Sequence, residues 1–213
     1  MTLDSPVRTF KVFGLGLSKT GTSSLAAALS TLGFRTVHNP TDDATVQSLL
    51  FGCVRCAITE SSDAVCDILF VRHFRELDLE FPNSRFILTT RSRDAWLASC
   101  RRHWADRYAL LHDLTNEDLV DFNVYGSTRF HERIFSSAYD THYSAVRHHF
   151  KGRSQQFLDI DICAGQGWGP LCQFLGVPQP NVAFPHIKPR PWSRNDRTVR
   201  AVRTYADESA IVA

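Results

Sequence analysis

Lys19 and the small residues around it form the densest concentration of reactive chemistry in the chain. From Gly14 to Ser24 the sequence reads Gly-Leu-Gly-Leu-Ser-Lys-Thr-Gly-Thr-Ser-Ser. One cation sits among five hydroxyls and three glycines. Glycine lets a backbone approach an anion closely, and Ser18, Thr20, Thr22, Ser23 and Ser24 add hydroxyl donors. The flanks tell how the loop is held. An apolar run with Phe10, Val12, Phe13 and Leu15 enters it as a strand, and Leu-Ala-Ala-Ala-Leu leaves it as a helix. A helix start offers unpaired N–H groups and the positive end of the helix dipole. Strand, small-residue loop and helix together make a cradle for an anionic nucleotide.

The spacing separates this cradle from two common ones. The NTPase loop reads G-x-x-x-x-G-K-[ST]. Gly16 and Gly21 have that interval, but Thr22 stands at the lysine position and Lys19 lies before the second glycine. The dinucleotide fingerprint needs a third glycine three residues after Gly16, and that place is Lys19.

Bulk properties narrow the class. The 213 residues are 43% hydrophobic, which suits one α/β domain with a sizeable core. A net charge of +2 gives no reason to expect nucleic acid as a partner. No apolar leader and no membrane-length apolar run is evident, so a cytoplasmic protein with no membrane partner is expected. Six cysteines are then expected as reduced thiols. Cys53, Cys56, Cys66 and His73 can be drawn as a zinc site, but they lack a close second ligand pair.

Strands are expected at 10–15, 34–38, 63–70, 85–90 and 155–160. Helices are expected after the cradle to Leu32, over 43–51 and 71–81, from Asp94, across 115–150, and over 168–175, stopped by Gly176. Residues 52–62 read as a connection. His131, His142, His148 and His149 read as a solvated face. Strands alternating with helices imply a three-layer α/β/α architecture around a mainly parallel five-stranded sheet. Ligands of such sheets bind at the carboxyl ends of the strands. Residues 1–190 read as one domain with a helical lid at about 104–150, and 191–213 as a basic tail.

Arg91, at the end of the most apolar strand, supplies a second anchor. Ser99 follows eight residues later on the next helix. A guanidinium fork and a hydroxyl suit a phosphate, although Arg91 could instead pair with Asp94. The displaced lysine together with Arg-x7-Ser resembles the sulfotransferases that use 3′-phosphoadenosine 5′-phosphosulfate (PAPS). A third stretch, Gly167-Trp168-x-x-Leu171-Cys172-x-Phe174-Leu175-Gly176-x-Pro178 followed by Phe184-Pro185-His186, is similar to the C-terminal signature of a microbial branch of that family. The resemblance implies a P-loop-like fold, with Ser18, Lys19, Thr20, Gly21, Thr22 and Ser23 around the 5′-phosphosulfate and Arg91 and Ser99 on the 3′-phosphate. Two features of the animal cytosolic enzymes are missing. No aromatic follows the cradle, and no Arg-Lys-Gly motif closes the chain; Lys188 and Arg190 are candidate substitutes.

Sulfuryl transfer places the same demands on a site as phosphoryl transfer: a cation at the leaving oxygen, donors around the transferring group and a base for the acceptor. Lys19 suits the first role, and the loop N–H groups with Thr22 and Ser23 suit the second. Two bases stand out. Asp67 lies 24 residues before Arg91, near the end of the third strand, and His38 ends the second. Burial would suit Asp67 to the task by raising its pKa, and imidazole titrates near pH 6.5 unaided. Asp63 is a lesser candidate. No metal is needed by the family, and the strand at 85–90 lacks the aspartate of a Mg-dependent NTPase. A nucleotide kinase or NTPase and a catalytically silent binding module are the alternatives. The acceptor is expected to be a small molecule. Trp104, Tyr108, Phe122, Tyr125, Phe130 and Tyr139 are candidates for an aromatic pocket that receives it. The tail, with Arg197, Arg200 and Arg203 at helical spacing, is a candidate for pairing two copies.

Overall fold

A computed structural model describes residues 9–40, 42–66, 68–108 and 115–187. Five strands form one sheet: β1 (Val12–Gly14), β2 (Thr36–His38), β3 (Ala64–Cys66), β4 (Arg85–Thr89) and β5 (Phe157–Ile160). Their order is β2-β3-β1-β4-β5, and every neighbouring pair is parallel. The expected strand positions hold, with tighter ends. The third strand is only three residues long; a 3-10 turn over Ile68–His73 replaces the rest of the apolar run.

Period-two alternation sorts the strand side chains into two apolar layers. Phe13, Val65, Phe86 and Leu88 face one cluster, and Val12, Ala64, Cys66 and Ile87 face the other. Helices α1 (Thr22–Thr31) and α8 (Trp168–Leu175) cover the second layer. The first is covered by α2 (Asp43–Leu50), α4 (Phe74–Glu80), α5 (Arg93–Tyr108), α6 (Asn116–Tyr125) and α7 (Glu132–His149). A short helix α3 (Ala57–Ser61) stands in the stretch expected as a connection.

The run at 115–150 is two helices, not one. Gly126 takes a left-handed conformation at φ 77° and closes α6, which Thr115 opens with a reciprocal capping box. The segment expected as a lid contains α7, whose Phe135, Tyr143 and Val146 lie in the core. Two of the four histidines there are part-buried: His142 bonds to the Leu15 carbonyl, and His149 bonds to Asp78 and packs on Phe74.

The aromatic residues expected to line a pocket mostly fill one. Trp104 and Tyr125 are buried, ring centroids 5.4 Å apart, and Tyr125 stacks on Phe135 at 4.6 Å. Phe122 instead faces solvent, and the Tyr108 side chain lies outside the described residues. None of the six cysteines is in a disulfide. Among the described residues no cluster of three or more His, Cys, Asp or Glu is placed to hold a metal ion. No helix among them is long and apolar enough to cross a membrane.

Candidate functional site

The cradle lies at the carboxyl ends of β1 and β4. Leu15 leaves β1 with its amide still bonded to Ile87, and the chain then presses onto β4. Gly16 permits this. A Cβ there would sit 1.7 Å from the Thr89 hydroxyl and 2.7 Å from that of Thr20. Those two buried hydroxyls are 2.7 Å apart, and Thr20 also donates to the Leu17 carbonyl at 2.7 Å. The Thr20 side chain therefore shapes the loop rather than facing a ligand.

Ser18 is held on both sides. Its amide donates to the Tyr125 hydroxyl at 3.2 Å, and its carbonyl accepts from the Trp96 indole N–H at 2.8 Å. The Ser18 side chain also bonds to Tyr125. These clamps, with the Arg91 guanidinium on the Lys19 carbonyl at 3.2 Å, fix the residue between them. Lys19 has φ 73°, a left-handed conformation that costs a side-chain-bearing residue about 1–3 kcal/mol and persists only where neighbours enforce it.

The Lys19 side chain is part-buried, and burial lowers its pKa. The positive charges of Arg91 and Arg102 add to the shift. The cation thus lies in a pocket of like charge, a setting an anionic ligand relieves. Burial pushes the Cys100 thiol far up, so it faces Lys19 as a neutral group.

Gly21, at φ 95°, precedes α1, and no side chain caps that helix. A helix start of this kind directs its opening amides toward an anion. His38, the last residue of β2, brings Nε2 to 3.3 Å from the Thr22 hydroxyl, so it stands beside the cradle. Ser99 is buried on α5, the helix whose Trp96 touches Ser18. Arg91 has no carboxylate partner among the described residues, and the ion pair with Asp94 does not form.

Asp63 is displaced from the site altogether. It precedes β3, at the opposite edge of the sheet, and takes three bonds from Arg35 at 2.7–3.0 Å. Those bonds hold its carboxyl below its ordinary range, the reverse of what a base requires. Asp67 follows Cys66, the last residue of β3, and is itself outside the described residues, as are Lys188, Arg190 and the tail 191–213. The chain leading to Lys188 does reach the cradle: the Ile187 amide donates to the Ser24 hydroxyl at 3.0 Å. Gly167 and Trp168 explain part of the C-terminal signature. A Cβ at 167 would meet the Phe184 ring at 3.1 Å, and Trp168 packs on Phe184 while donating to the Val182 carbonyl at 2.8 Å.

Several residues that build the site carry no local signal in the sequence. Trp96, Tyr125, Tyr139, His142 and Tyr143 touch the cradle or its flanking strand ends from positions 48 to 127 residues away. Arg102 reads as a surface helix residue, and only its nearness to Lys19 marks it. A cavity of about 620 Å³ between α5 and α7, lined by Arg93, Glu132, Arg133, Ser136, Ser137, Asp140 and Thr141, includes none of the cradle residues.

The chain is 28% identical over 214 residues to Ava biosynthesis cluster protein M of Aspergillus versicolor, covering 83% of this chain and 80% of that protein. The crystal structure of a sulfotransferase from Alicyclobacillus acidocaldarius has the same fold, with a TM-score of 0.53 at 16% identity over 87% of this chain and 88% of that one. The model of the sulfotransferase domain matches residues 11–50 and 55–191. With the match extending from β1 past the last described residue, the chain belongs to the sulfotransferase domain family.

Proposed function

We propose that the protein is a PAPS-dependent sulfotransferase acting on a hydroxyl or amine of a small molecule. The observation that carries the reading is the contact of the strand-end Arg91 with the Lys19 carbonyl, which joins two anion anchors in one site. A bisphosphate donor needs two such anchors; a 5′-monophosphate needs one. The name of the Aspergillus relative ties that protein to a biosynthesis cluster, in keeping with a small acceptor for this chain.

The residues take these roles. The amides of Gly21, Thr22 and Ser23, at the uncapped start of α1, and the hydroxyls of Ser18, Thr22 and Ser23 surround the 5′ end. Thr20 contributes through its backbone. Arg91 and Ser99 hold the 3′-phosphate, joined by Lys188 as the C-terminal segment passes Ser24. Bound there, PAPS supplies an activated sulfuryl group. Lys19 balances negative charge that grows on the leaving phosphate oxygen. His38 or Asp67 takes the acceptor proton; His38 is supported by its place 3.3 Å from Thr22. No metal is assigned a role.

Calorimetry with adenosine 3′,5′-bisphosphate, AMP and ATP-Mg tests the reading. The bisphosphate is expected to bind about 100-fold more tightly than AMP, the equivalent of about 3 kcal/mol, and Arg91→Ala to abolish that preference. Equal affinity for AMP and the bisphosphate refutes the proposal, and Mg-dependent ATP turnover would favour a kinase instead. Bisphosphate binding with no transfer from PAPS to any acceptor identifies a silent binding module.

A further inference from the structure

One face of α7 meets the site through three polar side chains. Tyr139, His142 and Tyr143 are spaced i, i+3, i+4, so they share a single stripe of the helix. Each bonds to a main-chain carbonyl, and each carbonyl lies where a strand ladder stops. His142 Nε2 is 2.7 Å from the carbonyl of Leu15, just past β1. The Tyr143 hydroxyl donates at 2.9 Å to that of Thr89, the last residue of β4. The Tyr139 hydroxyl donates at 2.7 Å to that of Arg91.

These carbonyls carry partial negative charge at the edge of the sheet where an anion is to sit. Without donors they would be unpaired dipoles opposing that anion. We propose that Tyr139, His142 and Tyr143 are positioning residues for the anion site. They neutralise the carbonyls at the ends of β1 and β4, and they fix the backbone that aims Arg91 and the Gly16–Ser24 loop. The inference rests on the proposed function for the identity of the anion, but not for the geometry.

The chemistry of the three groups suits the role. His142 is part-buried, and burial lowers its pKa to about 4, so at neutral pH it is an uncharged ring whose Nε2–H donates to the carbonyl. Burial raises the pKa of both tyrosines, which keeps their hydroxyls protonated as donors. Tyr143 also reaches the Thr20 hydroxyl and Leu17, so it serves both the strand end and the loop. Tyr139 is only part-buried, and its hydroxyl can be removed with little effect on the core.

The test uses the full chain and four variants: Tyr139→Phe, Tyr143→Phe, His142→Leu and His142→Gln, the last placing an amide N–H near the position of Nε2. Amide hydrogen exchange across residues 16–24 is read without ligand, next to the melting temperature, and adenosine 3′,5′-bisphosphate and AMP are then titrated. Tyr143→Phe and His142→Leu should speed loop exchange by about tenfold, the value of one hydrogen bond, while exchange in α8 stays unchanged. His142→Gln should restore protection. Tyr139→Phe should weaken the bisphosphate by about tenfold and AMP by much less, because it acts through Arg91. Uniformly faster exchange with a lower melting temperature, or unchanged loop exchange, overturns the inference. So does a Tyr139→Phe variant that keeps the full preference for bisphosphate. If the wild type shows no such preference, the proposed donor is wrong, and loop exchange alone decides the role of α7.

Discussion

Replacing Gly16 with alanine tests whether the cradle is pressed onto β4 as described. The new Cβ would lie 1.7 Å from the Thr89 hydroxyl oxygen, 2.9 Å from the Thr89 Cβ and 2.7 Å from the Thr20 hydroxyl. Neither threonine can swing into solvent, since both are fully buried. The loop must therefore rise by more than an ångström, or the Thr20–Thr89 hydrogen bond must break. Overpacking of this kind costs about 1–3 kcal/mol, and a lost buried hydrogen bond about 1 more. A total near 2–4 kcal/mol lowers the melting temperature of a chain this size by roughly 5–15 °C. Thermal unfolding of Gly16→Ala, Thr89→Ala and the double variant checks the cause. Removing the Thr89 hydroxyl clears the shortest contact, so the double variant should be more stable than additivity predicts by at least about 1 kcal/mol. Gly16→Ala melting within about a degree of wild type, or strict additivity, refutes the contact.

Further expectations follow from the same geometry. Lys19→Met should reduce sulfuryl transfer by about 100-fold or more, while bisphosphate affinity changes by less than about tenfold, measured by turnover and calorimetry. In the wild type, kcat/KM should decline as pH rises through a Lys19 pKa held below its ordinary 10.5 by burial, because transfer needs the protonated amine. Trp96→Phe loses the donor to the Ser18 carbonyl and leaves a cavity at a fully buried site, so it should weaken nucleotide binding by about tenfold and also lower the melting temperature. Asp78→Asn should destabilise the fold by about 2 kcal/mol at neutral pH, since Asp78 accepts bonds from Arg153 and His149. Arg153 holds the Asp78 carboxyl below its ordinary 3.8, so this stability is present above that value and is lost as pH falls through the lowered one. Denaturation of wild type and Asp78→Asn should therefore converge at acid pH.

The sequence by itself determined the local parts. A strand running into small residues and then an alanine-rich helix specifies the cradle, because each step depends only on neighbours in the chain. The apolar run at 85–90, Gly176 after α8 and the position of Lys19 were legible for the same reason. Tertiary structure decided what makes the cradle a site. Whether Ser18 and Thr20 offer their polar groups to a ligand or to the fold depends on Tyr125, Trp96 and Thr89, which packing alone brings near. His142 reads as one of several surface histidines, yet folding α7 over the ends of β1 and β4 partly buries it. The end of α6 is set by the left-handed turn at Gly126. In the sequence His38 was one of the two leading candidate bases and Asp63 a lesser one. The direction of the strands separated them, since β2 carries His38 to the edge beside the cradle and β3 leaves Asp63 at the other.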